Sequence, residues 1–442
     1  MNINIQKFGI EALTPMQQQM GHEAVTPGNV VLLSPTGTGK TLAFLLPLLS
    51  LLQPEAAVLQ AVVIVPTREL AQQNEEVLRR GSSGIKSMSL YGGRPAMDEH
   101  RVIKELHPQV VFATPGRMND HLDKGNLDAA KVRVLVIDEF DKCVELGFQD
   151  EMERLITRFS AVSHCWLTSA TDAESIPTFV ERVGEKRGKD WVRLDYLTSA
   201  DDVKQRMQLR VVKSPLKDKL HTLCLLLTSV KGLPSIVFVA HRESADRVGK
   251  WLKEEGFTAE VYHGGLEQEQ RERALYKFRS GAANVLVSTD LAARGLDIPE
   301  VKVVVHYHLP LREEEFTHRN GRTARWDAEG EVYLIQGPEE TLPDYATEAE
   351  VCELTDGPYR PVRPKYVCLY IGRGKRDKLS KGDVLGFFCK KGGASASDIG
   401  RIDVGPHHAY VSILRSKVKD VLRLIGNEKI KGMKTLIEEM RR

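Results

Sequence analysis

The chain reads as an α/β protein, with two doubly wound parallel-sheet domains in tandem and a small α+β domain after them. Three observations lead there. Short, mostly apolar runs rich in β-branched residues alternate with helical segments through the first part of the chain, as parallel strands buried on both faces require. A second series of the same kind follows. Beyond residue 365 the rhythm changes to strand, helix, strand, strand, helix, strand. At 442 residues, 42% of them hydrophobic, the chain has the material for two or three cores.

In the first series the candidate strands are residues 30–33, 61–65, 110–113, 132–137 and 165–168. The stretch 194–203 is the expected hinge. The second series runs 208–212, 235–239, 259–262, 284–288, 301–306 and 331–335. Residues 337–364 then turn acidic and proline-containing, which reads as a connector. If flexible, its roughly 27 residues would have an r.m.s. span of about 29 Å. In the last segment, strands at 366–371, 399–403, 409–414 and 434–437 flank helical patterns at 381–388 and 417–425. The expected organisation is 1–198, 203–337, an acidic linker at 338–364, and 365–442.

The overall charge of +2 says nothing about partners, but its distribution does. Residues 365–442 hold 18 Lys and Arg against 8 Asp and Glu, a net +10, which leaves −8 on the rest. A basic terminal module on an acidic body suits a polyanion. The six cysteines are scattered without a CxxC pair, so neither a zinc site nor a disulfide framework is indicated. The opening MNINIQKFGIEAL lacks a basic stretch followed by an apolar core, so no secretory signal is expected. No run approaches the roughly 18 apolar residues of a membrane span, and the expected location is the cytoplasm.

Residues 34–41 read SPTGTGKT between apolar runs, which is a strand, a glycine-rich turn and a helix. Gly37 and Gly39 let backbone N–H groups approach phosphate oxygens, and the helix N-terminus adds partial positive charge. Thr36, Gly37, Thr38 and Gly39 form the cradle, Lys40 can reach the β- and γ-phosphates, and Thr41 can hold Mg²⁺. Further on, residues 134–141 read VLVIDEFD, a buried strand ending in carboxylates. A hydrated Mg²⁺ and an attacking water would sit there, at Asp138 and Glu139.

Taken in order, these segments resemble the DEAD-box RNA helicases, a group with tandem RecA-like domains, over residues 8–336. Phe8-Gly9-Ile10 with LTPMQ at 13–17 looks like the family's adenine-reading motif, which implies that Gln17 meets the adenine edge. PTREL at 66–70, Gly92-Gly93 and TPGR at 114–117 match the RNA-backbone motifs, which assigns RNA contact to Pro66, Thr67, Arg68, Gly93, Thr114, Pro115, Gly116 and Arg117. DEFD stands where the family has its naming motif. The resemblance implies Asp138 for Mg²⁺, Glu139 to orient and deprotonate water, and Asp141 to couple to Ser169, Ala170 and Thr171. Phe140 is much larger than the family's alanine. Overpacking would cost about 1–3 kcal/mol unless its neighbours have shrunk, and accommodated packing with retained hydrolysis is expected.

The second domain supplies Gln268 and Arg271 in GGLEQEQR and Thr289 in STD, which by resemblance serve RNA binding and coupling. Asp297 would contact the ribose. HRNGRTAR at 318–325 matches the motif that delivers arginines to the γ-phosphate, with Arg322 and Arg325 in that role. The segments GRGKRDKLSKGDVLG, DIGRIDV and HHAYVSI resemble the RNA-recognition domain of the DbpA-like branch, which binds 23S ribosomal RNA and assists ribosome assembly. Arg373, Lys375, Arg376, Lys378 and Lys381 form a basic loop suited to RNA contact, while Tyr410 stands open between RNA contact and core.

The resemblance thus implies two tandem RecA-like domains followed by an RRM-like domain. It implies an RNA-dependent ATPase and helicase that uses ATP and Mg²⁺ on short duplexes, targeted to 23S rRNA in large-subunit precursors, as a cytoplasmic monomer. Two other readings stay open at this point: a general helicase of RNA turnover or cold adaptation, and a low-turnover ATP-gated RNA clamp or scaffold.

Overall fold

A computed structural model describes residues 5–440 apart from 9, 36, 83, 94, 95, 171–190, 198–206, 291–300 and 324–329. The chain divides into two compact units. The first holds the chain to residue 206 and the second most of the remainder, C-terminal sheet included.

The first unit is a seven-stranded, all-parallel sheet of β1 (Gly28–Leu33), β2 (Ala61–Ile64), β3 (Ser87–Leu90), β4 (Val110–Ala113), β5 (Val134–Ile137), β6 (His164–Ser169) and β7 (Trp191–Asp195). Their spatial order is β3-β4-β2-β5-β6-β1-β7. The strands AVVI, VVFA and VLVI are buried at every position, as helices on both faces demand. Phe140, 3% exposed, lies in the apolar cluster of Ile137, Cys143, Met152 and Leu167. It is therefore packed as core. β7 shortens the expected hinge, because Leu194 and Asp195 pair with Leu32 and Leu33. The rest of that stretch, from 198 on, lies outside the described residues.

The second unit contains a parallel sheet of β8 (Met207–Lys213), β9 (Ser235–Val239), β10 (Ala259–Tyr262), β11 (Val285–Thr289), β12 (Val303–His306), β13 (Gly330–Gln336) and β14 (Glu350–Val351). The order is β10-β11-β9-β12-β13-β8-β14. Its last strand comes from the segment expected to be a linker. That expectation is corrected: residues 338–364 are strapped along the second sheet. β14 pairs with β8, the Glu340 carboxylate takes Lys219 Nζ at 2.8 Å, and Arg360 N donates to Thr228 Oγ1 at 3.2 Å. Asn284 Nδ2 donates to Val362 O at 2.7 Å, and Cys352, Leu354 and Tyr359 pack on the core. The acids find a lysine and the apolar residues find a surface, so the 29 Å tether estimate does not apply.

The C-terminal sheet is antiparallel, with β15 (Tyr366–Ile371), β16 (Ile399–Val404), β17 (Ala409–Leu414) and β18 (Ile437–Glu439) in the order β16-β17-β15-β18. β18 begins where the sequence reading ended its last strand. Val367, Leu369, Ile371, Ala409, Val411 and Ile413 point toward helices Lys381–Lys390 and Val418–Ile425 and form this domain's core. The alternate positions Cys368 and Tyr410 pack instead against Tyr276, Ala282 and Met440.

Candidate active site and nucleic-acid interface

Strand order sorts the motifs along the C-terminal edge of the first sheet. The loop at 34–39 follows β1, Asp138 and Glu139 follow β5, and Ser169 ends β6; these three strands are neighbours. Pro66-Thr67, Gly92-Gly93 and Thr114-Pro115 follow β2, β3 and β4, which are the other three neighbours. The nucleotide motifs thus share one half of the edge and the RNA motifs the other, in the position where open parallel sheets bind ligands.

On the nucleotide half, Gly37 and Gly39 have φ of 86° and 92°, the left-handed region open to glycine. The Gly39 conformation turns the chain into helix Lys40–Leu51. Lys40 Nζ donates to the carbonyls of Ser34 and, at 2.8 Å, of Pro35. Ser34 Oγ and Thr38 Oγ1 are 2.7 Å apart, and Thr38 Oγ1 donates to Pro35 O at 2.8 Å. Gln17 is 1% exposed and caps its own helix: Thr14 N donates to its Oε1 at 3.1 Å. Its Nε2 donates to Gly39 O at 3.3 Å, tying the LTPMQ segment to the glycine-rich loop. An amide keeps one further hydrogen and one lone pair for an adenine edge.

A hydrogen-bond chain joins the loop to the carboxylates. Thr41 Oγ1 donates to Asn74 Oδ1 at 3.4 Å, and Asn74 Nδ2 donates to Asp138 Oδ2 at 2.9 Å. Thr168 Oγ1 donates to Asp138 Oδ1 and accepts from Glu139 N at 3.3 Å. Asn74 and Thr168 were not among the residues read from the sequence. The available signal was Asn74's place on the buried stripe of helix Arg68–Gly81, with Leu70, Ala71 and Leu78, where an apolar side chain is the default. Burial pushes the Asp138 carboxyl up, while Thr168, Asn74 and Lys40 draw it down. The Thr41 hydroxyl and Asp138 carboxylate are separated by one side chain and offer the hard oxygen donors that Mg²⁺ takes, so the residues fit that ion. Glu139 has φ 51° and ψ 51°, a left-handed conformation at the N-terminus of helix Phe140–Glu145. Asp141 Oδ2 lies 3.6 Å from Lys142 Nζ, and both side chains are buried.

On the RNA half, Thr67 caps helix Arg68–Gly81 by accepting from Leu70 N at 3.2 Å, which leaves its hydroxyl hydrogen for another acceptor. Gly93 has φ 92°, and a Cβ there would stand 2.4 Å from Arg68 NH1, so the guanidinium lies over this glycine turn. Pro115 opens helix Pro115–Asp123 behind Thr114, and Gly116 is exposed. The geometry redirects Arg117. Its side chain is 13% exposed, and its Nε meets Glu99 Oε2 at 2.7 Å, which His121 Nε2 also meets at 2.8 Å. Arg117 therefore anchors this helix to the helix Ala96–Leu106 that carries Glu99.

In the second unit, Thr289 ends β11, while Gln268 and Arg271 lie in the first turn of helix Gln268–Arg279. Gln268 Nε2 donates to Glu272 Oε1 at 3.1 Å. Arg322 is buried. Arg319, passed over in the sequence reading, grips Asp290 with two bonds of 2.5 and 2.6 Å and donates to His308 O at 2.8 Å. Thr36, Thr171, Asp297 and Arg325 lie outside the described residues.

In the C-terminal domain Lys375, Arg376, Lys378 and Lys381 are exposed. Arg373 pairs with Asp377 at 2.8 Å. Backbone bonds lace this loop to the next turn, from Lys375 N to Gly405 O at 2.8 Å and from Arg376 N to Pro406 O at 3.0 Å. Lys431 joins the same surface, donating to Lys378 O at 2.6 Å and to Asp383 at 2.9 Å. Tyr410, 5% exposed, is a packing residue rather than an open stacking platform.

Residues 14–178 match the DEAD/DEAH box helicase family, residues 218–327 the helicase conserved C-terminal domain, and residues 368–439 the DbpA RNA binding domain. The ATP-dependent RNA helicase DbpA of Escherichia coli (strain K12) is 32% identical over 439 residues, spanning 97% of this chain and 94% of that protein. The ATP-dependent RNA helicase DbpA of Bacillus subtilis (strain 168) is 28% identical over 459 residues, spanning 97% and 95%. Among solved structures, S. cerevisiae Dbp5 bound to RNA and ADP BeF3 is 25% identical with a TM-score of 0.64, over 79% of this chain and 95% of that one. Mss116p bound to ssRNA and AMP-PNP shares the fold, with a TM-score of 0.70 at 24% identity over 80% and 76%. Three domain matches in this order, and an alignment that runs almost the full length of a DbpA relative, make this chain a DEAD-box ATP-dependent RNA helicase of the DbpA type.

Proposed function

We propose that this helicase is directed to 23S rRNA in precursors of the large ribosomal subunit, where its ATPase cycle opens short duplexes during assembly. The observation that carries the proposal is the C-terminal module. It matches the DbpA RNA binding domain and presents Lys375, Arg376, Lys378 and Lys381 on a surface braced by backbone bonds. Basic side chains on a braced loop meet phosphates without ordering the loop anew. In this reading ATP is used with Mg²⁺ held at Thr41 and Asp138. Lys40 serves the phosphates, Glu139 the attacking water, and Arg322 and Arg325 the transferring phosphoryl group. Arg68, Gly93, Thr114, Gln268, Arg271 and Thr289 take RNA backbone, and the enzyme works as a cytoplasmic monomer.

The test is steady-state ATP hydrolysis with a 23S rRNA fragment against a scrambled RNA of equal length. The specific fragment should reach half-stimulation at a concentration lower by roughly 10²–10⁴-fold. A variant with Lys375, Arg376 and Lys378 all changed to Gln should lose that advantage and show a shallower salt dependence. Equal stimulation by both RNAs in the native enzyme removes the targeting claim.

A further inference from the structure

The helix that carries Gln268 and Arg271 in its first turn carries Tyr276 two turns later. Tyr276 Oη donates to the carbonyl of Arg401, in the C-terminal sheet, and its ring lies 5.0 Å from that of Tyr410. Around this pair Ala282, Cys368 and Met440 close an apolar patch, with Tyr370 at its margin. Tyr366 N donates to Gly281 O at 3.4 Å just beyond the helix end, and the strapped connector fixes the approach. The covered sheet face is the one on which domains of this topology stack bases. Here an internal helix occupies it, which leaves RNA to the basic loops.

We propose that Tyr276 is a positioning residue for RNA selection. By clamping the C-terminal sheet to helix Gln268–Arg279, it holds the basic loops at one fixed offset from Gln268 and Arg271. This rests on the reading of those loops as the RNA anchor. The substrate it fits is an RNA whose anchor segment and duplex are joined at a defined spacing. A free tether would sample a sphere of positions and tolerate many spacings. A clamped module accepts few, because binding at both sites is lost when the geometry cannot be met.

The experiment uses the full chain and a 23S rRNA fragment joined to a short duplex through a graded series of single-stranded spacers. Unwinding rate is read against spacer length, and fragment affinity is measured separately. The native enzyme should show an optimum, falling about tenfold on either side. Tyr276→Ala should flatten the profile to within about twofold while fragment affinity stays unchanged. Tyr410→Ala should do the same from the opposite side of the contact, and Tyr276→Phe, which keeps the ring, should retain most of the optimum. Should Tyr276→Ala melt below assay temperature, Tyr410→Ala and Tyr276→Phe carry the comparison. A native enzyme that prefers the fragment over scrambled RNA but has no spacing optimum overturns the clamp. So does an optimum that survives in the alanine variants. A native enzyme with no preference for the fragment removes the targeting reading instead, and the clamp with it.

Discussion

At the scale of single residues, Phe140 and His306 show opposite uses of burial. Phe140 fills space within an otherwise polar motif. Since it sits in the core with Ile137, Cys143 and Leu167, Phe140→Ala should leave a cavity rather than relieve strain. The expected loss is about 3–5 kcal/mol in urea unfolding of the full chain, with no gain in ATPase rate. Higher turnover at unchanged stability would instead mark Phe140 as a strained intruder. His306 is held neutral by burial, with the Arg319 charge acting in the same direction. Its Nε2 donates to Asn320 Oδ1 at 2.9 Å, and Nδ1 accepts from Arg319 NH1 at 3.3 Å. Burial, and then the Arg319 charge, lower it from 6.5 to about 3. A depressed histidine destabilises the fold only where the unfolded chain binds the extra proton. Stability is therefore intact above about pH 6.5 and falls as pH drops toward 3, by at most about 1.4 kcal/mol per unit. His306→Gln, which retains a donor toward Asn320, should flatten this acid slope in unfolding titrations. An identical slope in the variant would assign it to other groups.

At the scale of elements, the turn at Gly92-Gly93 and the helix beginning at Arg68 act as one unit. In Gly93→Ala, the φ of 92° becomes unfavourable by about 1–2 kcal/mol. The new methyl group also takes the place of the Arg68 guanidinium. RNA affinity should drop roughly tenfold, as expected for one charged hydrogen bond, while binding of a fluorescent ATP analogue is unchanged. Equal loss of both would point to general unfolding. Element identity was legible in the sequence wherever one physical pattern dominated. The unbroken runs AVVI, VVFA and VLVI announce strands buried on two faces, and the phosphate turn announces its helix. β3, β7 and β14 were missed. SMSL lacks the aliphatic run, WVRLD alternates as an edge strand does, and Glu350–Val351 is only two exposed residues paired at a sheet margin. The site was legible to the same extent. Lys40, Thr41, Asp138 and Glu139 come from local motifs. Asn74 and Thr168 depend on which strand and helix become neighbours, and no local spacing encodes that.

At the scale of the molecule, the C-terminal domain is a structural partner of the second sheet as well as a basic module. Deleting residues 365–442 should therefore uncover Tyr276 and Ala282. Exposing one such aromatic side chain costs about 1.5–3 kcal/mol. The shortened chain should melt earlier and bind an apolar dye, and adding Tyr276→Ser should restore its solubility. A deletion that melts like the full chain and binds no dye would show that the contact contributes nothing to stability.

The sorted edge of the first sheet has a consequence for engineering. The loops that carry the RNA-backbone motifs of that unit lie between β2 and the helix after β4, a single uninterrupted stretch of chain, and the loops that carry the nucleotide motifs lie before and after it. Within the sheet the two halves meet along one seam of four paired residues, Ala61↔Val134 to Ile64↔Ile137. A block running from β2 through helix Pro115–Asp123 could thus be grafted from one helicase of this build to another with two splice points and one strand interface to match. The RNA-backbone motifs would travel with the block, and so would Asn74, whose bonds to Thr41 and Asp138 require the donor to supply an asparagine at that point of helix Arg68–Gly81.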